Sequence, residues 1–383
     1  MPRRIAILGS TGSIGVNALK VASSLGKEVE IIALSADSNI KVLARQVNIF
    51  NPKVICVRDG SYAQKIKKII PSCVKVLCGN DGLEEIASRA DIDTVLFAIS
   101  GLSCTKPLIK AIESKKKIAL ANKEALVSAG SIIMRLAKEN GVNIIPIDSE
   151  HSAIFQCLEG KREYLKKLYL TATGGPLRDI PKSRFDRLSP NFILNHPKWK
   201  MGKKISVDSA TMMNKGLEII EAKWLFDVDA GDIEVVVHPE AIIHSMISLI
   251  DGTFFAQLSV PDMRLPIQYA ITYPVRFDTK LRSLNFSQIR SLSLERPDTK
   301  KFPCLNLAQR ALEMAGVYPA LLNAANEEAV KKYLECKIKF SRIPYIIEKV
   351  LAGYTGSKIK ELSLNEIIGA ECWAREEALR LCH

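Results

Sequence analysis

Over the first 148 residues, short aliphatic and β-branched runs alternate with stretches whose apolar positions recur every three or four residues. The runs are Arg4 to Leu8, Val29 to Leu34, Lys53 to Val57, Val74 to Leu77, Thr94 to Ile99, Lys117 to Ala121 and Val142 to Ile147. Segments between them, Ile40 to Ile49 and Ala125 to Lys138 among them, carry helical spacing. Strand and helix in this alternation predict βαβ units, hence a doubly wound parallel sheet covered on both faces. Ligands then belong at the carboxyl ends of the strands.

Beyond residue 148 the pattern changes. Residues 149–275 mix extended and helical stretches with clustered polar residues and predict a central α+β catalytic domain. Within it, Gly174 to Gly202 contains Pro176, Pro181, Pro190 and Pro197 and few periodic apolar positions. A loop longer than about 12 to 15 residues in a compact domain is usually functional, so 174–202 is expected to be a partly mobile lid. A polar stretch over 276–303 reads as a linker, and 304–383 as a C-terminal α-helical domain. There Leu305, Ala308, Ala311, Leu312 and Ala315 are expected on one helix face, and Ser363-Leu364-Asn365-Glu366 has the form of a capping box opening the last helix.

Composition agrees with a folded, soluble protein of two or three domains: 47% of the 383 residues are hydrophobic and 25% charged. Lys and Arg exceed Asp and Glu by 54 to 41, a net charge of +13. The excess is spread through groups such as Lys67-Lys68, Lys115-Lys116-Lys117 and Lys203-Lys204, not gathered into a patch interleaved with aromatic residues. Nucleic acid is therefore not the expected partner, and a phosphorylated metabolite is. No apolar run reaches the roughly 18 to 20 residues of a membrane span, and the N-terminus passes straight into a strand pattern with no signal or transit segment expected. Nine cysteines without Cys-x-x-Cys spacing are expected as free buried thiols in a cytoplasmic protein.

Four clusters carry chemistry. Gly9-Ser10-Thr11-Gly12-Ser13-Ile14-Gly15 follows the first strand and opens a helix, where glycines let the backbone approach a pyrophosphate at the free N–H groups of a helix start. This gives the first domain a Rossmann-like reading. Pro146 to Ser152 ends the last strand of the sheet; if extended, Asp148 and Glu150 project to one face and suit a hard divalent cation, or else the pair is a solvated loop end or helix cap. Ser206 to Glu218 adds a third carboxylate, Glu218, beside Ser209, Asn214 and Lys215, donors of the kinds that hold a phosphate. Asn195 to Gly202 sets His196 and Trp199 at the tip of the expected lid, where the indole is covered on closure, by ligand or by the protein itself. His238 and His244 flank an apolar run and read as structural.

Strings from end to end of the chain resemble the 1-deoxy-D-xylulose 5-phosphate reductoisomerases. They are GSTGSIG (9–15), ANKEALV (121–127), PIDSEHSAIFQ (146–156), HPKWKMG (196–202), VDSATMMNKGLE (207–218), VVVHPEAIIHSM (235–246), VPDMRLPIQYA (260–270) and NAANEEAV (323–330). The resemblance implies an enzyme of non-mevalonate isoprenoid synthesis that isomerises its phosphorylated sugar by carbon-carbon cleavage and rejoining, reduces it with NADPH to 2-C-methyl-D-erythritol 4-phosphate, and is inhibited by fosmidomycin. It also implies a homodimer. Residue by residue, it implies that Asp148, Glu150 and Glu218 hold one Mg²⁺ or Mn²⁺. Ser149 and Lys123 touch the substrate, and Thr173, His196, Ser209, Asn214 and Lys215 surround its phosphate end, with Trp199 against it. Thr11, Gly12, Ser13, Ile14, Asn39, Asn122, Glu124 and Gly202 line the nucleotide.

Two positions depart from the family pattern. Thr173 stands where Ser is usual, and Asp37 where Gly is common. Asp37, expected at the end of the second strand 22 positions after Gly15, has the place of an acid that binds the ribose 2′-hydroxyl of NAD and repels the 2′-phosphate of NADP. The residue favours NAD and the resemblance NADPH; Ser38, Asn39, Lys41 and Arg45 are the nearby donors that could compensate. Two other readings of the chain are a metal-dependent oxidoreductase for another phosphorylated sugar and a regulatory protein that senses NADP(H).

Overall fold

The computed structural model describes residues 1–194, 202–356 and 362–382, which divide into two compact units. The first comprises 1–125, 133–152 and 262–282, the second 126–132, 153–261 and 283 onwards.

The first unit is built on a seven-stranded parallel sheet: β1 Arg3–Leu8, β2 Val29–Ser35, β3 Val54–Val57, β4 Lys75–Cys78, β5 Thr94–Phe97, β6 Lys117–Leu120 and β7 Ile144–Pro146, in the order β4-β3-β2-β1-β5-β6-β7. Its central strands are apolar on both faces, which is why they read as unbroken runs. Ile5, Ala6, Ile7 and Leu8 are all fully buried. The order reverses direction between β1 and β5, and the crevice at such a switch point is the ligand position of open α/β sheets. Helix Arg264–Thr272, late in sequence, packs against helix Ser13–Leu25 of this unit, and Arg3 donates to the carbonyl of Thr272 at 3.0 Å.

The second unit holds a mixed sheet of β8 Leu165–Ala172, β9 Ile233–Val237, β10 Ile243–Leu249 and β11 Phe254–Leu258, ordered β11-β10-β8-β9. Helices Cys304–Met314, Tyr318–Leu334, Arg342–Gly353 and Leu364–Leu381 make its C-terminal part. The last begins with the expected capping box, Ser363 and Glu366 each bonding the other's backbone. Ala315 leaves the expected face: it is the C-cap of its helix, at φ +57°, and is exposed. Of the segment read as a lid, residues 177–193 are anchored. Leu177 and Ile193 are fully buried, the Phe185 ring stacks on Phe302 and meets Phe340 edge-on, and Asp186 accepts bonds from the amide and hydroxyl of Ser341.

All nine cysteines are free, but Cys73, Cys78, Cys336 and Cys372 are exposed, not buried as expected. They sit on loops, an edge strand and an outer helix face, where no apolar layer covers them.

A buried carboxyl supplies one pH prediction. Glu371 accepts a bond from the Ser128 hydroxyl at 2.8 Å, and burial, opposed by Ser128 and Arg375, pushes its pKa from 4.5 up to about 7. Because the folded state favours the protonated form, stability falls as pH rises from about 4.5 through 7. Glu371→Gln, neutral at every pH, is expected to leave stability unchanged at pH 4 and raise it by about 2–3 kcal/mol at pH 8. Urea titrations at the two pH values check this.

Candidate active site

The glycine loop lies at the switch point. Gly9 has φ +92°, and a Cβ there would fall 2.5 Å from the Ala98 carbonyl oxygen beyond β5; one at Gly15 would fall 2.3 Å from the carbonyl oxygen of Gly9. The turn therefore accepts only glycine at both places. Gly12 caps helix Ser13–Leu25 without any side-chain bond, so no cap side chain competes for the amides of its first turn, an arrangement suited to an anion. Thr11 and Ile14 are half-buried and Gly12 and Ser13 exposed, which leaves the loop accessible. Two residues absent from the sequence reading hold it. The Ser35 hydroxyl accepts from the Gly9 amide at 2.9 Å, and buried Gln46 donates to the Ser10 carbonyl at 2.9 Å while accepting from the Ser10 hydroxyl at 2.6 Å.

At the carboxyl end of β6, Asn122 caps helix Lys123–Glu139. Its side-chain oxygen accepts from the Ala125 amide at 2.7 Å and its amide group donates to the carbonyls of Ile99 and Gly101 at 2.7 and 3.1 Å. Asn122 thus binds the loop after β5 to the start of the helix that carries Lys123 and buried Glu124. Asn39 caps helix Ile40–Phe50, its side chain accepting from the Val42 amide.

The acidic motif is not extended. Strand β7 stops at Pro146, and Ser149–Cys157 is helical, so Glu150 stands in a first turn and Asp148 just before it, its carbonyl accepting from the Ser152 amide at 2.8 Å. The alternation of a strand does not place these carboxylates; a helix start does. Lys123 Nζ lies 2.5 Å from Asp148 Oδ2, the side chains only 12% and 14% exposed. Ser149 donates to Glu150 Oε2 at 2.6 Å. Burial opposes the charge on Asp148, but Lys123, His151 and the bond to Glu150 together outweigh it and hold the carboxyl well below the usual range. This unit therefore presents an ionised carboxylate, an ammonium, a hydroxyl and a second carboxylate.

In the second unit, Thr173 follows β8 and is succeeded by Gly174 and Gly175, both at positive φ. A Cβ on Gly175 would lie 2.5 Å from the carbonyl oxygen of Ser209, so this turn and helix Lys203–Thr211 meet backbone to backbone. The chain then turns at Met212, φ +62°, into helix Met213–Phe226. One turn along it, Glu218 is fully buried and Lys215 4% exposed. Asn214 donates to Glu218 Oε1 at 2.5 Å and Lys215 to Glu218 Oε2. Lys215 is thus no solvated surface cation. Asp208, also buried, pairs with Lys204 at 3.1 Å and accepts from Asn326 at 2.8 Å, fixing the first helix to Tyr318–Leu334. Thr173, Ser209, Asn214, Lys215 and Glu218 therefore come from two abutting segments of one unit. Gly202 caps the first of these helices and is exposed; His196 and Trp199 lie outside the described residues. His238 bonds through both ring nitrogens, to the Ser293 carbonyl and to the amides of Ile242 and Ile243, consistent with a structural histidine.

Three family models match along the chain: 1-deoxy-D-xylulose 5-phosphate reductoisomerase over residues 5–130, its C-terminal domain over 144–226, and the DXP reductoisomerase C-terminal domain over 258–377. The 1-deoxy-D-xylulose 5-phosphate reductoisomerase of Chloroherpeton thalassium is 47% identical over 97% of this chain and 96% of its own, and that of Desulfosudis oleivorans 48% over 98% of each. The chain belongs to the 1-deoxy-D-xylulose 5-phosphate reductoisomerase family. Among solved structures of reductoisomerases, the Zymomonas mobilis enzyme in complex with NADPH matches with TM-score 0.93 and 39% identity over the whole of both chains. A complex with NADPH, fosmidomycin and magnesium matches with TM-score 0.95 and 38% identity over 99% of this chain and 98% of the other. Reductoisomerase likeness thus extends over the glycine loop, the acidic helix start and the Ser209–Glu218 segment alike.

Proposed function

We propose that this chain isomerises 1-deoxy-D-xylulose 5-phosphate and reduces it with NADPH to 2-C-methyl-D-erythritol 4-phosphate, with Mg²⁺ or Mn²⁺ as its metal, in the cytoplasm. The observation that carries the reading is the buried Lys123–Asp148 pair, set with Ser149 and Glu150 at the end of β7 in a sheet whose first loop is a glycine cradle.

The residues fit both cofactors. Asp148, Glu150 and Glu218 are an oxygen-only donor set of the kind a hard divalent cation takes, and Asp148 is held ionised for it. The cation, when bound, supplies Lewis acidity to the substrate's carbonyl and neighbouring hydroxyl, and NADPH supplies the hydride. The geometry supports the following roles for the chain itself. Lys123 fixes the Asp148 carboxylate in one orientation and keeps its charge, and Ser149, beside Glu150, offers a hydroxyl to the substrate. Lys215 and Asn214 hold Glu218 in place and, with Ser209 and Thr173, form the cationic and hydroxyl-rich end that receives the phosphate. Thr173 serves there as Ser does, since the hydroxyl is kept and only a methyl added. For His196 and Trp199, outside the described residues, the substrate role rests on the family motif alone. Thr11, Gly12, Ser13, Ile14, Asn39, Asn122, Glu124 and Gly202 take the nucleotide. In this scheme 1–148 is the nucleotide domain and also supplies Lys123 and Asp148, 149–275 supplies the remaining carboxylates and the phosphate end, although its residues 262–275 pack with the first unit, and 304–383 supports it. In an assay of cofactor oxidation, loss of NADPH is expected only when substrate and a divalent cation are both present and is expected to stop with fosmidomycin; oxidation that is indifferent to chelator would refute the metal assignment.

Two copies are expected to pair. Strand β11 lies at the edge of its sheet with Phe254 and Phe255 exposed, and Ile250 of the adjoining turn is 67% exposed. An apolar, unpaired edge is a template for a second chain. Among the described residues no helix is long and apolar enough to cross a membrane. Native protein is expected to run at twice the chain mass in light scattering and Phe254→Asp at the chain mass; a native monomer would remove the dimer.

A further inference from the structure

The loops that leave β2 and β3 at the carboxyl edge of the first sheet are tied together. Strand β2 pairs with β3 at Ser35 and Cys56. Beyond that pair the Ala36 amide donates to the Cys56 carbonyl at 3.0 Å and the Arg58 amide to the Asp37 carbonyl at 3.1 Å. This register sets the two side chains side by side, and the Arg58 guanidinium grips both carboxylate oxygens of Asp37, Nε on Oδ1 at 2.5 Å and Nη2 on Oδ2. Asp59, next in sequence, is occupied with the amides of Ser61 and Tyr62 at the start of helix Gly60–Lys67.

The Asp37–Arg58 pair lies open to solvent, its side chains 64% and 53% exposed. An exposed ion pair adds little to stability, so folding does not account for it. Its position does invite a use. In dinucleotide folds an acid about 20 residues after the glycine loop binds the ribose 2′-hydroxyl, whereas a nearby arginine accommodates a 2′-phosphate. Here both residue types are present and joined. Alone, Asp37 would repel a 2′-phosphate; within the pair its charge is balanced. The two bonds use two of the five N–H donors of a guanidinium and leave the others for an anion. The bond from Arg58 also keeps the Asp37 carboxyl below its ordinary range, so the pair persists at neutral pH.

Resting on the assignment of NADPH as cofactor, we propose that Arg58 determines specificity for the 2′-phosphate, masking Asp37 and offering its remaining donors to the phosphate. None of Ser38, Asn39, Lys41 and Arg45 holds the carboxylate by such a two-point grip; the partner comes from the next βα unit.

The test is equilibrium binding of NADPH and NADH, by calorimetry, to the native protein, Arg58→Ala, Asp37→Asn and the double variant, with adenosine 2′,5′-bisphosphate and AMP as probes of the phosphate itself. Arg58→Ala is expected to weaken NADPH and the bisphosphate by about 10- to 100-fold while moving NADH and AMP by less than about threefold. Asp37→Asn is expected to tighten NADPH, and the double variant to bind it more tightly than Arg58→Ala alone, because the bare carboxylate is gone. Equal losses for NADPH and NADH in Arg58→Ala, or no loss in either, would overturn the role of Arg58 and leave the cofactor assignment standing. A native protein that binds NADH more tightly than NADPH would instead overturn the cofactor assignment.

Discussion

Glu218→Gln is expected to lower turnover by on the order of 10²- to 10³-fold at saturating Mg²⁺, with the protein still folded. The side chain is fully buried and its two oxygens accept from Asn214 and Lys215. Gln keeps the volume and one acceptor but removes the anionic charge and turns an NH₂ toward one of those donors. On the proposed metal assignment a divalent cation then loses a charged ligand, and a local donor loses its partner. Steady-state kinetics over a range of Mg²⁺ concentrations, with circular dichroism as the control for folding, checks this. Unchanged turnover at saturating Mg²⁺ would remove Glu218 from the metal site.

Lys215→Ala carries the second large effect, and it separates two roles of one ammonium. Its loss leaves the buried Glu218 carboxylate without its cation, and breaking a buried pair from one side costs about 3–5 kcal/mol, so the variant is expected to melt earlier. Below that transition, kcat/KM for 1-deoxy-D-xylulose 5-phosphate is expected to fall by roughly 10- to 150-fold, the worth of a charge-assisted bond to the phosphate. The same kinetics with the unphosphorylated sugar tell the roles apart. If Lys215 holds the phosphate, the substitution costs the unphosphorylated sugar much less; an equal loss for both sugars would confine Lys215 to positioning Glu218.

The parts of this molecule that were legible in the sequence are those with local causes. The seven parallel strands appear within one or two residues of their expected ends, because strands buried on both faces are unbroken apolar runs. The capping box at Ser363 and Glu366 is a local pattern and formed as read. The acidic motif shows the limit: Asp148, Ser149 and Glu150 alternate as a strand would, yet Asp148-Ser149 also starts a helix, and the spacing of Ile154 and Leu158 decides for the helix. What stayed hidden depends on contacts between distant segments. Gln46 looks like one more helix residue until its amide reaches the Ser10 carbonyl. Arg58 looks like a loop cation until β3 pairs beside β2 and brings it to Asp37. The return of helix Arg264–Thr272 to the first unit has no signal in its own pattern.

A chain that rearranges a carbon skeleton before reducing it leaves its mark in the carbon connectivity of the product, which is the decisive measurement. Native protein, 1-deoxy-D-xylulose 5-phosphate labelled with ¹³C at the carbons of the bond to be broken, NADPH and Mg²⁺ are incubated together, and the product is read by NMR. Skeletal rearrangement followed by reduction gives a branched product with the spectrum of 2-C-methyl-D-erythritol 4-phosphate, formed in proportion to the NADPH consumed. A reduced product that keeps the unbranched chain of the substrate would mean that no rearrangement takes place.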